Sequence, residues 1–176
     1  MTTATLTTLL DRLARLHLQE RRDDDLNPAQ RAALDYLARA NRFSRMPSAV
    51  ADYLAATRGT VSQTLKTLAR KGLIHEHTPP GDKRARRYDL TAEGQRLCAH
   101  PSTAEITLSA DDAAEAEATL RALLKAMLDA RDRRSFGVCK TCRYHGARND
   151  APYCNLLQLA LTNEETTQIC VEHAAA

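Results

Sequence analysis

The 176-residue sequence lacks the features that mark several large classes of protein. None of its apolar runs approaches the roughly 18 residues that a membrane-spanning helix needs, and no basic segment leads into an apolar stretch at its Thr-rich start. A glycine-rich phosphate loop is absent, as is a nucleophile with a base at a recognisable spacing. Repeats and low-complexity tracts are also absent. These absences lead us to expect a cytoplasmic protein that is neither an enzyme nor bound to a membrane.

The chain is long enough for one compact domain with at most a small appendage. Its net charge of +3 is modest, so composition alone does not predict a nucleic-acid partner. The charge is unevenly placed, because residues 57–91 contain eight basic and only three acidic residues. A local excess larger than the net charge of the whole protein favours a phosphate-binding surface, and a solvated basic face is the alternative interpretation.

Hydrophobic periodicity predicts a mainly helical fold with one β-hairpin. Leucines recur at helical spacing over residues 6–18. Capping residues or prolines start further helices at Asn27, Pro47, Thr57 and Ser109. The pattern then predicts strands at Leu73–His77 and Arg86–Leu90, and a helix at Thr91–Cys98. We expect the helix capped by Ser109 to reach about Arg133.

Three short helices followed by a basic hairpin are the order of elements in a winged helix-turn-helix, in which one helix enters the major groove of DNA. The segments VADYLAATRGTVSQTLKTLARKGLI and GDKRARRYDLTAEG resemble the MarR family of bacterial transcription regulators. The resemblance covers about Leu26–Leu97. The wing formula of the family is met by Asp82, Arg84, Tyr88, Leu90, Thr91 and Gly94. The resemblance implies a sequence-specific regulator, expected to be a repressor, that binds an inverted repeat in double-stranded DNA.

The helix after Thr57 turns its apolar side chains inward and leaves the opposite face for DNA. On that face Gln63 can form a bidentate pair with adenine, whereas Lys66 and Arg70 are suited to the phosphate backbone. In the wing, Arg84 resembles the arginine of the family that enters the minor groove. The predicted DNA-contacting residues are Arg58, Thr60, Ser62, Gln63, Lys66, Arg70, Lys83, Arg84, Arg86 and Arg87.

The leucine-rich helices at the two ends of the winged helix, residues 3–18 and 113–128, are too apolar to face water. In the MarR fold the corresponding helices of two subunits interlock. The resemblance therefore implies a homodimer with N- and C-terminal dimerisation helices. Closure of the monomer core by the same helices is the alternative.

Four of the five cysteines lie in the last fifth of the chain with the spacing C-x2-C-x11-C-x15-C: Cys139, Cys142, Cys154 and Cys170. A thioredoxin-like dithiol is disfavoured, because this C-x-x-C follows a predicted helix end rather than a strand. Four thiols in a segment too short to bury its own core instead predict a metal centre that supplies folding energy. We place the boundary of this small Cys-rich module near Ser135, which divides the chain into residues 1–134 and 135–176.

The sequence leaves the identity of the metal open between an iron–sulfur cluster and zinc. The pieces CKTCRYH, YCNLL and ICVEH resemble the ligand order of high-potential iron–sulfur proteins and related small modules, which favours a 4Fe–4S cluster. Zinc is the alternative, because His145 and His173 each follow a cysteine by three residues and can complete a mixed ligand set. No spaced partners are evident for Cys98, His17, His75, His77 and His100, which we interpret as structural or solvated residues.

These features predict a DNA-binding regulator whose operator affinity is controlled by a cluster that senses redox state, oxygen or iron supply. Because Cys139 closely follows the predicted dimerisation helix, we expect the cluster to set the angle between the two wings. Three alternatives stay open. They are a regulator with structural zinc that responds to a small ligand, a cluster-bearing electron carrier or enzyme subunit, and a constitutive architectural DNA protein.

Overall fold

The computed structural model of the chain describes residues 3–19, 25–79, 85–99 and 107–175. The helices are α1 (Thr3–Gln19), α2 (Pro28–Arg39), α3 (Pro47–Tyr53), α4 (Arg58–Arg70), α5 (Ala92–Cys98), α6 (Ala110–Asp129) and α7 (Asn163–Thr166). The strands are β1 (Ile74–His77), β2 (Arg87–Leu90), β3 (Gly137–Val138), β4 (His145–Arg148), β5 (Ala151–Cys154), β6 (Leu159–Ala160) and β7 (Ile169–Cys170). None of the described helices is both long and apolar enough to cross a lipid bilayer. The predicted succession of short helices and a hairpin is confirmed.

Side-chain caps begin the helices where the sequence predicts them. Asn27 and Gln30 form a reciprocal capping box at the start of α2. The hydroxyl of Thr57 accepts a hydrogen bond of 3.1 Å from a backbone N–H in the first turn of α4. Ser109 caps α6 in the same way. These caps satisfy N–H groups that a helix leaves without an internal partner, so the helix starts are fixed locally.

The core of the winged helix lies where α2, α3 and α4 meet. Its largest buried apolar side chains are Leu34, Tyr36, Leu37, Val50, Val61, Leu65 and Leu68. The three that belong to α4 fall on one face of that helix, as the periodicity predicts. The opposite face of α4 is consequently left in solvent.

Strands β1 and β2 form the antiparallel hairpin of the wing, with His75 opposite Asp89 and His77 opposite Arg87. The hairpin can follow α4 directly, because Gly72 ends the helix with a φ of 71° that side-chain-bearing residues adopt only at a cost. The tip of the wing, residues 80–84, lies outside the described residues. The predicted contacts of Lys83 and Arg84 therefore have no structural counterpart here.

Helices α1 and α6 bury almost none of their apolar surface within one chain. None of the twenty described residues of α6 is buried. Between 39 % and 58 % of the side chain is exposed at Leu6, Leu9, Leu13, Leu16, Leu18, Leu120 and Leu124. Closure of the monomer core by these helices is therefore wrong. Helix α6 also ends at Asp129 rather than near Arg133, because Asp132 adopts a left-handed φ of 48° that a right-handed helix does not contain.

Residues 136–175 fold back onto the winged helix. They form two small sheets, one of β3 and β7 and one of β4, β5 and β6. Phe136 packs edge-on against Tyr36 and Tyr53 with ring centroids 6.1 and 5.2 Å apart. Val171 is only 4 % exposed and belongs to the same core as α2 and α4. The compositional boundary near Ser135 therefore separates a mainly helical segment from a segment of short strands. Both segments contribute to one hydrophobic core.

The segment between α2 and α3, residues 40–46, is the α2–α3 loop, and it receives the tail. The backbone N–H of Asn41 donates to the carbonyl of Ile169 at 2.9 Å. The hydroxyl of Ser44, which is fully buried, accepts from the N–H of Val171 at 2.9 Å and donates to Asn41 Oδ1 at 2.7 Å. These hydrogen bonds fix the position of β7 against the winged helix.

We expect Ser44→Ala to lower the free energy of unfolding by about 1–3 kcal/mol, because it leaves the buried N–H of Val171 without its acceptor. Denaturant unfolding followed by circular dichroism would measure the change. Ser135→Ala, at an exposed position next to the tail, is the matched control and should leave stability unaltered. Equal stability of the two variants would contradict the role of Ser44 in holding the tail.

Candidate nucleic-acid interface and cysteine site

The exposed face of α4 brings together most of the predicted DNA-contacting residues. Five of them are exposed there: Arg58, Thr60, Gln63, Lys66 and Arg70. Ser62 lies half-buried at the edge of the face. Thr60 shares a hydroxyl–hydroxyl hydrogen bond of 2.9 Å with Thr57, and Arg70 donates to the hydroxyl of Thr67 at 3.0 Å. The face thus presents an amide and three cations beside the free N–H groups of a helix start.

A groove of about 370 Å³ separates α4 from the wing and contains one acid among the basic residues. That acid is Glu76, which accepts a hydrogen bond of 2.7 Å from the hydroxyl of Tyr88 and forms an ion pair with Arg86. The hydrogen bond from Tyr88, and then the contact with Arg86, hold the pKa of Glu76 below its usual range. Burial and the bond to Glu76 raise the pKa of Tyr88 to about 12. Glu76 is therefore charged at neutral pH and offsets part of the positive charge on this surface.

The two predicted wing arginines of the described residues occupy different surroundings. Arg86 is 66 % exposed and lies on the side of the hairpin that faces α4 through its pair with Glu76. Arg87 is half-buried, with its guanidinium carbon 5.9 Å from the centroid of the Phe43 ring and its Nε buried without a hydrogen-bond partner. Alternation along β2 turns Arg87 and Asp89 to one face of the hairpin and Tyr88 to the other. Arg87 consequently faces the α2–α3 loop and the tail.

The tail brings its four cysteines into one neighbourhood. Cys139 and Cys142 bracket a 3-10 turn, Cys154 ends β5 and Cys170 ends β7. Cys139 and Cys170 are 5 % and 7 % exposed, while the other two are half-buried. Burial raises the pKa of Cys139 to about 11, and the neighbouring charges of Cys170, Cys154 and Cys142 add to the rise. Cys139 and Cys154 also belong to one apolar cluster.

Hydrogen-bond donors and apolar side chains surround these sulfurs. The N–H of Leu157 donates to Cys154 Sγ and that of Ala174 donates to Cys142 Sγ, both at 3.5 Å. Burial raises the pKa of the Cys170 thiol, and hydrogen bonds that include the side chains of Asn41 and Ser44 oppose that rise. A small apolar cluster packs on the site: Phe43, Cys139, Leu161, Cys154 and Leu157. The α2–α3 loop thus contributes both a ring and hydrogen-bonding groups to the cysteine site.

The two histidines of the tail differ in their hydrogen bonding. His173 Nε2 lies 3.0 Å from the hydroxyl of Thr141. Its ring also packs so closely on Gly137 that a Cβ at that glycine would lie 2.5 Å from it. His145 Nε2 is buried and has no hydrogen-bond partner. His145 therefore has a buried ring nitrogen that is free of hydrogen bonds.

The structure brings together three residues of the wing that the sequence analysis did not combine. His75, His77 and Asp89 have ligand atoms that all lie within 4.8 Å of one another, and they are the sole group of three or more His, Cys, Asp or Glu residues so close among the residues described. The structure thus gives His77 a carboxylate neighbour that the sequence did not predict. The missed signal is the alternation His-x-His, because residues two apart on a strand share a face. The partner Asp89 follows only from strand pairing.

The α2–α3 loop contacts the wing as well as the tail. The N–H of Tyr88 donates to the carbonyl of Arg45 at 2.9 Å, and the Arg45 guanidinium donates to Asp89 Oδ1 at 2.9 Å. On its other side, Arg42 pairs with Glu165 at 2.6 Å, a carboxylate in a residue that is 6 % exposed. The loop therefore lies between the cysteine site and the base of the wing and is hydrogen-bonded to both.

Comparison with known proteins shows which family and which solved structures this winged helix is similar to. Residues 24–85 match the sequence model of the MarR family. The MepR–DNA complex of Staphylococcus aureus is 25% identical, with 72% of this chain and 99% of the MepR chain covered and a TM-score of 0.56. MepR in its DNA-binding conformation is 24% identical over the same shares, with a TM-score of 0.59. Apo MarR of E. coli is 23% identical over 70% of this chain and 98% of its own, with a TM-score of 0.54. No curated protein sequence matches the chain.

Residues 24–85 are therefore similar to the MarR family, as the sequence predicts, and the winged-helix fold that the resemblance implies is confirmed. MepR is described as a transcription regulator of a multidrug efflux pump. The cysteine tail lies beyond the residues that match the family model.

Proposed function

We propose that this protein is a transcription regulator that binds double-stranded DNA through α4 and the wing. The observation that carries the proposal is the exposed face of α4, where Gln63 lies among Arg58, Lys66 and Arg70. Gln63 is suited to a bidentate contact with adenine in the major groove, and the three cations are suited to phosphates on either side. The free N–H groups at the start of α4 add a further phosphate site. A MepR structure with a similar fold is a complex with DNA.

The wing supplies the second set of contacts in this proposal. Arg86 can exchange its exposed ion pair with Glu76 for a phosphate, because both partners are open to solvent. Arg87 would have to leave Phe43 to do the same, so we assign it to the wing base instead. Minor-groove contact by Arg84, with Lys83 beside it, stays a prediction from the family resemblance.

We expect Gln63→Ala to lose about 1–3 kcal/mol of discrimination at one base pair of the operator while leaving non-specific binding nearly unchanged. Fluorescence anisotropy with operator duplexes substituted at each position would measure the loss. Gln95→Ala, on the exposed surface of α5, is the matched control. A uniform loss across all duplexes, or no loss, would remove Gln63 from base recognition.

A second copy of the chain is the proposed partner for the exposed faces of α1 and α6. Their leucines lie in solvent in one chain, and an apolar surface of this extent is stable only when it is covered. A twofold dimer would also place two recognition helices on an inverted repeat, with half-sites about 34–36 Å apart. The dimer thus explains the exposed apolar faces of α1 and α6, and it predicts a palindromic operator.

We propose that the four cysteines hold an iron–sulfur cluster of the 4Fe–4S type. The support is the donor set of four thiols within a partly apolar pocket, with N–H groups donating to at least two sulfurs, as cluster sites require. Spacing supports it too. Zn–S bonds of about 2.3 Å put tetrahedral sulfurs about 3.8 Å apart, yet no three of the described cysteine sulfurs lie within 4.8 Å of one another. A four-iron cube binds one thiolate at each corner and so accepts a wider spacing.

Zinc is the second candidate, and the unpartnered Nε2 of His145 is the observation that favours it. Anaerobic purification followed by iron, sulfide and zinc analysis and a visible spectrum distinguishes the two metals. If the cluster is present, we expect iron and sulfide in equal amounts. The visible absorption should be the same in His145→Ala as in the wild-type protein. Stoichiometric zinc that is lost in His145→Ala would overturn the cluster.

The proposed cluster controls DNA affinity through the α2–α3 loop. Asn41 and Ser44 reach Cys170, whereas Arg45 in the same loop binds the backbone of Tyr88 and the carboxylate of Asp89 in the wing. A change in charge or geometry at the cysteines therefore has a hydrogen-bonded route to the wing of only a few residues. We propose this route in place of the expected one through α6, and it makes the orientation of each wing on its own subunit, rather than the angle between the two wings, the controlled quantity.

A further inference from the structure

The base of the wing carries three possible metal ligands on one face of the hairpin. His75 and His77 lie two residues apart on β1, and Asp89 on β2 is the strand partner of His75. One ligand atom from each lies within 4.8 Å of the other two. Antiparallel pairing fixes this arrangement, because it sets the backbone of all three residues independently of side-chain motion.

The hydrogen bonding of the group leaves ligand atoms available. His77 Nδ1 is buried, lies 3.3 Å from Asp89 Oδ2 and makes no hydrogen bond. Asp89 Oδ1 accepts instead from Arg45 at 2.9 Å, which orients the carboxylate and turns Oδ2 toward the histidine. In metal sites, a ligating carboxylate is typically hydrogen-bonded to a neighbouring group through the oxygen that does not bind the ion.

Space for a water ligand is present beside the group. His77 and Asp89 line a cavity of about 560 Å³ between the wing and the tail, together with Phe43 and Leu159. Two imidazoles, one carboxylate and a water form a common ligand set for zinc, and imidazole ligands also suit neighbouring divalent transition ions.

We propose that His75, His77 and Asp89 form a binding site for one divalent transition ion of the zinc class, separate from the cysteine site. The ion would tie β1 to β2 at the base of the wing and, through Asp89 and Arg45, to the α2–α3 loop. The site is open on the side of the exposed His75, so it can load and release the ion without opening the core.

The test compares zinc binding by full-length wild-type protein, His77→Gln and Asp89→Asn, all purified in the same way. Equilibrium dialysis against zinc counts the ions, and the cysteine tail contributes equally in every sample. We expect each variant to bind one zinc ion fewer at the concentration that saturates the wild-type site, with affinity at least about tenfold lower. His17→Gln, an exposed histidine of α1, is the control and should retain the wild-type number.

Ring resonances of 15N-labelled histidine supply a second measurement. Zinc should shift the signals of His75 and His77 and leave that of His17 in place. Should His77→Gln or Asp89→Asn lose its helical circular dichroism, His75→Gln removes an exposed ligand without disturbing packing and gives the same count. Equal zinc binding by wild type and the folded ligand variants, or unmoved ring signals of His75 and His77, would overturn the site.

Discussion

Cys154→Ser should change the affinity for the operator by about 5- to 150-fold relative to the cluster-loaded wild-type protein, the usual range of coupling between two sites. The serine removes one of the four thiolates and with it the visible absorption of the cluster. The physical basis is the packing around the cysteines, where Phe43 of the α2–α3 loop touches the same apolar cluster as Cys154. In the proposed mechanism, loss of the cluster would free this loop and remove a fixed support of the wing.

The measurement is a titration of one operator duplex with holo wild type, oxidant-treated wild type and Cys154→Ser at a single salt concentration, because salt alone changes such affinities by orders of magnitude. Cys98→Ser is the control, since this thiol is half-buried in α5 and does not belong to the cysteine-rich tail. Its sulfur lies 3.9 Å from the backbone carbonyl oxygen of Leu34 in α2. Equal affinity in all samples would make the metal structural and would withdraw its sensing role.

The largest effect on assembly is expected from Leu13→Lys combined with Leu124→Lys. Both leucines are 58 % exposed in one chain and belong to the apolar faces of α1 and α6. In the proposed dimer each lysine would be a buried charge without a partner, at a cost of about 3–5 kcal/mol. Each 1.4 kcal/mol is a factor of about ten in the dissociation constant, so the dimer should separate at micromolar concentration. Sedimentation would then return the mass of one 19.5 kDa chain.

Ala122→Lys is the matched control, because it adds the same charge to the opposite face of α6 and should leave the dimer intact. The double variant should also lose most of its operator affinity, since a monomer engages one half-site at a time. A double variant that remains dimeric would place the subunit interface elsewhere.

The sequence predicted local structure well because its signals are local. Caps at Asn27, Thr57 and Ser109 satisfy N–H groups within three residues, so their effect does not depend on the rest of the chain. The same holds for the apolar face of α4, which periodicity alone identifies. The end of α6 was less predictable, because no glycine or proline between Leu128 and Gly137 marks the point where the backbone turns at Asp132.

The different surroundings of Arg86 and Arg87 show what local sequence signals do not predict. The run of basic residues predicts a phosphate contact for both, although Arg86 precedes β2 and Arg87 is its first residue. Only the packing of Phe43, a residue of a distant loop, decides that Arg87 is half-buried while Arg86 stays exposed. Side-chain exposure on a two-sided hairpin depends on what covers each face, and composition does not carry that information.

By itself the sequence determined the winged helix, its recognition face and the gathering of four cysteines in one short segment, because each of these follows from spacing along the chain. Tertiary structure decided where that segment goes. The hydrogen bond between Ser44 and Val171 joins residues 127 positions apart, and the meeting of Asp89 with His77 requires strand pairing. Contacts of this kind form only when one hydrophobic core closes over both segments, which is why the link between the cysteines and the wing has no local signal in the sequence.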